Sequence, residues 1–213
     1  IKDEFDALLA LLGLDFLEID IIFPLGISFY TFASITYLCS VYENSKYLAQ
    51  DDYYQEENPA LESFVGVATY LSFFATFMAG PIMRSESFFS QYHTKREFGS
   101  IDMIITLILF GFVKKAIIAN YLGIYAMPIL NTPFEYHALE LLSALFAYSI
   151  QLYCDFSGYV NLVCAFGLML GFTLPLNFNM PYMAKNLKDF WSRWHISLST
   201  FIRDYIYIPL GGN

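Results

Sequence analysis

ALELLSALFAYSIQLYCDFSGYVNLVCAFGLMLGFTL (residues 138–174) runs for 37 residues, and near its centre stands an acid, Asp155. A bilayer core needs roughly 20 mostly apolar residues per helix. The run therefore reads as membrane-spanning, either as one long tilted helix or as two segments joined near residues 155–158. Working outward, residues 21–42 (IIFPLGISFYTFASITYLCSVY) and 63–83 (SFVGVATYLSFFATFMAGPIM) are each apolar over about one crossing. Residues 101–130 are long enough as well, but Lys114 and Lys115 interrupt them, as in a broken or tilted helix or two half-spans. The Gly80-Pro81 pair, followed by Arg84, predicts a helix end at the membrane surface. The fold class these runs predict is all-α: a polytopic transmembrane helical protein, with no internal repeat.

Composition supports this. Of the 213 residues, 57% are hydrophobic, 19% aromatic and only 15% charged, against about 25% charged in soluble domains; mean hydropathy is +0.48. The net charge of −9 is unevenly spread. Residues 43–62 hold six acids against one lysine, and Asp3, Glu4, Asp6, Asp15, Glu18 and Asp20 crowd the first twenty residues. No basic surface offers itself to phosphate, so a nucleic-acid partner is excluded; membrane lipid is the expected environment. Cys39, Cys154 and Cys164 sit in apolar runs with no metal-ligand spacing and read as buried thiols. The chain starts at Ile1 without a signal-peptide pattern and stops on Gly-Gly-Asn, which reads as a piece of a longer protein.

Lysine and arginine set the expected orientation. Residues 43–62 carry one such residue, whereas residues 84–98 and 175–193 carry three each. The first segment is expected outside and the other two on the cytoplasmic side. That requires an even number of crossings between them, so residues 138–174 are expected to make a single net crossing.

An acid at the centre of a membrane helix is costly, about 2.5–3.5 kcal/mol on insertion scales. On a helix, Gln151 and Asp155 share a face, and Ser157, Gly158 and Asn161 follow. The group is either a structural hydrogen-bonding cluster between helices or the lining of a substrate or proton path.

DFWSRWHISLS (residues 189–199) holds both tryptophans of the chain and one of its three histidines. Asn186 is placed to cap a helix with Asp189 at N3. Apolar residues at 187, 190, 191, 194, 198, 201, 202 and 205 make a helical stripe, with Asp189, Arg193, Ser197, Thr200 and Asp204 opposite. The spacing predicts an amphipathic interfacial or re-entrant helix near 187–206, with an Asp189–Arg193 pair. His195 falls at the edge of the stripe, between Ser192 and Ser199. It is either an anchor at the headgroup level or a general base, since an imidazole exchanges protons near neutral pH. No nucleophile elbow or HExxH motif accompanies it.

QLYCDFSGY (151–159), LPLNFNMPY (174–182) and DFWSRWHISLSTFIRDYIYIPLGGN (189–213) closely resemble the membrane-bound O-acyltransferase family, in the bacterial branch of alginate and peptidoglycan O-acetyltransferases. FPLGISFYTF (23–32), FMAGPIMR (77–84) and GFVKKAIIAN (111–120) resemble the same branch. The resemblance implies a multi-pass enzyme of the bacterial inner membrane. Such an enzyme moves an acyl group from acetyl-CoA or another cytoplasmic thioester to hydroxyls of an envelope polysaccharide, through extracytoplasmic partner acyltransferase proteins. It implies no bound cofactor and no metal. It gives His195 a catalytic role, and implies a second, later histidine in an apolar segment beyond Asn213, so that this piece alone is expected to be inactive. His93 and His137 lie outside the matching motif. Supporting or path-lining roles fall to Gln151, Asp155, Ser157, Trp191, Trp194, Ser199, Arg203 and Asp204. A transporter using Asp155, Lys114 and Lys115, or a scaffold of an envelope-polymer modification complex, is the alternative that the intramembrane polar residues alone would allow.

Overall fold

The computed structural model describes residues 26–43 and 59–212. The acidic N-terminal twenty residues, and all but the edges of the acidic 43–62 segment, lie outside them. The described residues are helical, without a named strand: α1 (Ile27–Glu43), α2 (Pro59–Leu71), α3 (Phe74–Phe77), α4 (Ser85–Tyr92), α5 (Ile101–Phe112), α6 (Asn120–Asn131), α7 (Ala138–Met169), α8 (Leu187–Trp191) and α9 (Ile196–Ile202). Two π-helical segments, Val113–Ala119 and Arg203–Tyr207, continue α5 into α6 and extend α9.

The 138–174 run is one helix that passes through Asp155 without a break. A capping box starts it: the Glu140 side chain accepts from the His137 amide at 2.8 Å. It stops where Gly171 turns left-handed (φ +76°), letting the Phe172 N–H reach the Gly167 carbonyl at 2.8 Å. Among the described residues it is the one helix long and apolar enough to cross a membrane by length and composition. Residues 101–131 form a continuous helical rod as well. The lysines do not break it, because the π segment absorbs them within an unbroken backbone ladder. At about 1.5 Å per residue the rod is roughly 46 Å long.

Rod and α7 form an antiparallel hairpin. At one end the Gly99 N–H donates to the Leu168 carbonyl at 2.9 Å, and the Gln91 side chain bonds both backbone groups of Thr173. Towards the turn, the Tyr125 hydroxyl meets Ser143 Oγ at 2.7 Å. Between these points the helices approach at Gly111 and Gly158. A Cβ on Gly158 would stand 2.9 Å from the Gly111 carbonyl oxygen and from the Lys115 amide. Small residues permit such backbone contact.

The 63–83 run departs from the expected span. α2 ends at Leu71, α3 is four residues long, and the chain then bends at Gly80, where a Cβ would overlap the Ala75 carbonyl. Pro81 is fully buried, not a surface terminus. This bend carries Met83 into the main core with Tyr70, Phe73, Phe88, Val163 and Phe172. The Tyr70 hydroxyl ties it there, donating to the Met83 carbonyl at 2.7 Å and pairing with Thr36 at 2.7 Å.

Candidate functional site

The helix expected near 187–206 is broken at its histidine. Its start follows the sequence: Asn186 Oδ1 caps the Asp189 amide at 2.9 Å, and Asp189 pairs with Arg193 Nε at 2.7 Å. That guanidinium holds the Asp189 carboxyl below the usual carboxylate range. α8 then ends at Trp191, and His195 takes up a left-handed backbone, φ 43°, ψ 53°, before α9 begins. No glycine or proline marks the break. For a residue with a Cβ this conformation costs roughly 1–2 kcal/mol, and such strain persists only where surrounding contacts hold it. Here residues 177–179 supply them. Asn179 N–H donates to the Arg193 carbonyl at 3.0 Å, Ile196 N–H donates to the Asn177 carbonyl at 2.9 Å, and Phe178 and Trp194 form an isolated antiparallel bridge.

His195 stands edge-on to Phe156, ring centroids 4.9 Å apart. Phe156 lies about 20 Å from the C-terminal end of α7 at 1.5 Å per residue, so the imidazole sits level with the middle of α7. The His195 side chain is half-buried. Its Nδ1 is buried and has no hydrogen-bond partner among the described residues.

Trp194 packs in an aromatic cluster with Tyr153, Phe178, Tyr182 and Phe190, stacking on Phe190 at 5.6 Å. Ser199 closes the turn around the histidine: its amide donates to the His195 carbonyl and its hydroxyl to the Trp194 carbonyl at 3.3 Å. Ser192 bonds instead to the Asp189 carbonyl. Ser157, next to Phe156, is buried with its hydroxyl unpartnered among the described residues. Trp191 is not part of the cluster around the imidazole. The residue is 56% exposed and its ring meets Phe190 alone among the described aromatic contacts. Arg203 and Asp204 lie at the far end of α9, where Asp204 pairs with Arg203 and with Arg84.

Gln151 and Asp155 share a face, as expected, but that face belongs to a separate cleft. It is an open space of about 650 Å³ lined by Lys115, Asn120, Gly123, Gln151 and Asp155 among others. Lys115 Nζ pairs with Asp155 Oδ1 at 2.6 Å, and Gln151 Oε1 is buried without a partner among the described residues. Sequence reading treated the two lysines as interruptions and missed these roles. Lys115 neutralises the central acid, while Lys114 places its ammonium over the Tyr153 ring at 5.6 Å, on the edge of the aromatic cluster. The available signal was an adjacent cationic pair in one apolar run facing a lone acid in the next.

The sequence model described as MBOAT, membrane-bound O-acyltransferase family, matches residues 8–213. The probable alginate O-acetylase AlgI of Pseudomonas putida is 37% identical over 99% of this chain and 41% of its own length. The peptidoglycan O-acetyltransferase of Helicobacter pylori is 34% identical over 93% of this chain and 41% of its own length. The teichoic acid D-alanyltransferase of Bacillus subtilis is 33% identical over 86% of this chain and 45% of its own length. The chain thus spans about two fifths of the length of the curated relatives it matches.

Proposed function

The chain belongs to the membrane-bound O-acyltransferase family, and from that premise we propose that the whole protein transfers an acyl group, acetyl, from a cytoplasmic thioester to hydroxyls of an envelope polysaccharide such as alginate or peptidoglycan. The observation that carries this reading is His195, an imidazole held in a left-handed turn level with the middle of α7. In the proposed step the imidazole takes the proton from an acceptor hydroxyl as its oxygen attacks the thioester carbonyl. The tetrahedral intermediate collapses, the C–S bond breaks, and the thiolate leaves with the proton. General-base assistance of this kind contributes about 10²–10⁴-fold. His195 would share the task with the second histidine that the family resemblance implies.

Phe156 packs edge-on against the imidazole and is backed in turn by Phe178 of the aromatic cluster, which excludes water from one side. Acetyl-CoA or a carrier-bound thioester is the proposed donor, and extracytoplasmic partner acyltransferases pass the acyl group to the polymer. A multi-pass setting in the bacterial inner membrane fits large apolar side chains that stand exposed on the outer faces of the hairpin, among them Phe112, Ile124, Leu142 and Phe146; in lipid such faces need no protein cover.

The test is the full-length protein with His195→Ala, at matched protein level, assayed for acyl transfer to the envelope polymer. A loss of about 100-fold or more is expected. Transfer at the wild-type rate would remove His195 from the active site.

A further inference from the structure

We propose that Asn177 is a positioning residue for His195: it grips the backbone just after the histidine and so fixes where the imidazole points. The inference rests on the reading of His195 as an active-site group.

Asn177 is fully buried, in the LPLNFNMPY stretch. It takes two amides at once. Its backbone carbonyl accepts from the Ile196 N–H at 2.9 Å, and its side-chain Oδ1 accepts from the Ser197 N–H at 3.2 Å. These are the first two amides of α9, which a helix leaves without intrahelical partners. His195 occupies the N-cap position of α9 but caps nothing with its own side chain. Asn177 does from another segment what a capping serine or aspartate does locally, and the histidine side chain stays available. On the other side of His195, the bond between Asn179 and Arg193 and the Phe178–Trp194 bridge hold the preceding residues. The left-handed turn falls at the one residue between the two grips.

The second end of the Asn177 carboxamide is the further pointer. Its Nδ2 is buried and has no hydrogen-bond partner among the described residues, and neither has His195 Nδ1. Buried amides that serve only as struts have both ends satisfied as a rule. Here two buried polar nitrogens, one on each of the two residues that the grip joins, are left without a partner among the described residues.

The experiment uses the full-length protein in membranes, with transfer rates normalised to folded protein. Asn177→Ala is expected to lower kcat roughly 100-fold, the effect of misplacing a reacting group by about 1 Å, while KM for the thioester stays unchanged. Asn177→Asp keeps the volume and an acceptor for Ser197, and its buried carboxyl takes up a proton. It is expected to recover most of the rate. If Asn177→Ala does not accumulate, Asn177→Ser, whose hydroxyl is too short to reach the same amide, takes its place. The proposal is overturned if the truncated variant retains wild-type kcat, if its loss lies in KM, or if Asn177→Asp is as slow as the truncation. His195→Ala is assayed in parallel. Full activity there overturns the parent reading, and the two failures are told apart because that variant leaves Asn177 intact.

Discussion

At the scale of the residue, His195 concentrates the departures from expectation. The stripe of apolar residues at helical spacing continues through it, yet the backbone reverses hand there. Local sequence carries the cap at Asn186 and the Asp189–Arg193 pair, and both form. It does not carry the break, because the amides of Ile196 and Ser197 are captured by Asn177, nineteen and twenty positions upstream in an extended stretch. Ser197 is a testable point. Its hydroxyl accepts from the buried Ile82 amide at 3.0 Å, and Ser197→Ala leaves that donor unpaired, a loss of about 1–3 kcal/mol that thermal unfolding in detergent should register.

At the scale of the element, the hairpin of residues 101–131 and α7 depends on where glycine stands. A methyl on Gly158 meets backbone atoms of Gly111 and Lys115 at 2.9 Å, whereas one on Gly123 meets the flexible Gln151 side chain at 3.7–3.8 Å. Gly158→Ala is therefore expected to destabilise by about 1–3 kcal/mol and Gly123→Ala to be tolerated. Equal melting temperatures for the two variants would contradict the crossing described. The same contact brings the π segment against α7, and with it Lys115 to Asp155. Both residues lie in long apolar runs, where a charge left without its partner is costly to insert and removing both charges is milder. Asp155→Leu alone should accumulate less in membranes than Asp155→Leu combined with Lys115→Leu. That Asp155 needs a partner was legible in the sequence, and so was its face with Gln151. The identity of the partner was not, because it follows from the register of two helices whose contact is set by a pair of glycines.

At the scale of the whole molecule, the long apolar runs translated unevenly. Residues 138–174 gave one helix and residues 101–130 one rod, since each carries enough uninterrupted helix-forming sequence to propagate. Residues 63–83 did not, because Gly80 and Pro81 fold the chain back into the core against Tyr70. The hairpin makes a topological prediction. Thr94, before the rod, and Phe134, at the exposed turn between rod and α7, stand at opposite ends of roughly 46 Å of helix. With the native cysteines replaced, single cysteines at these two positions should react with a membrane-impermeant thiol reagent from opposite faces of the cell membrane. Labelling from the same face would show that the rod does not cross.

The hydrogen bond between Ile82 and Ser197 joins residues 115 apart in the chain. At translation speeds of about 5–20 residues per second, Ile82 leaves the ribosome roughly 6–23 s before its partner. The rod, α7 and then Asn177 emerge within that interval, ahead of the WHISLS segment. The histidine turn is thus a late event in the life of the nascent chain: until residue 197 has been made, the Ile82 amide and the Asn177 side chain have nothing to hold.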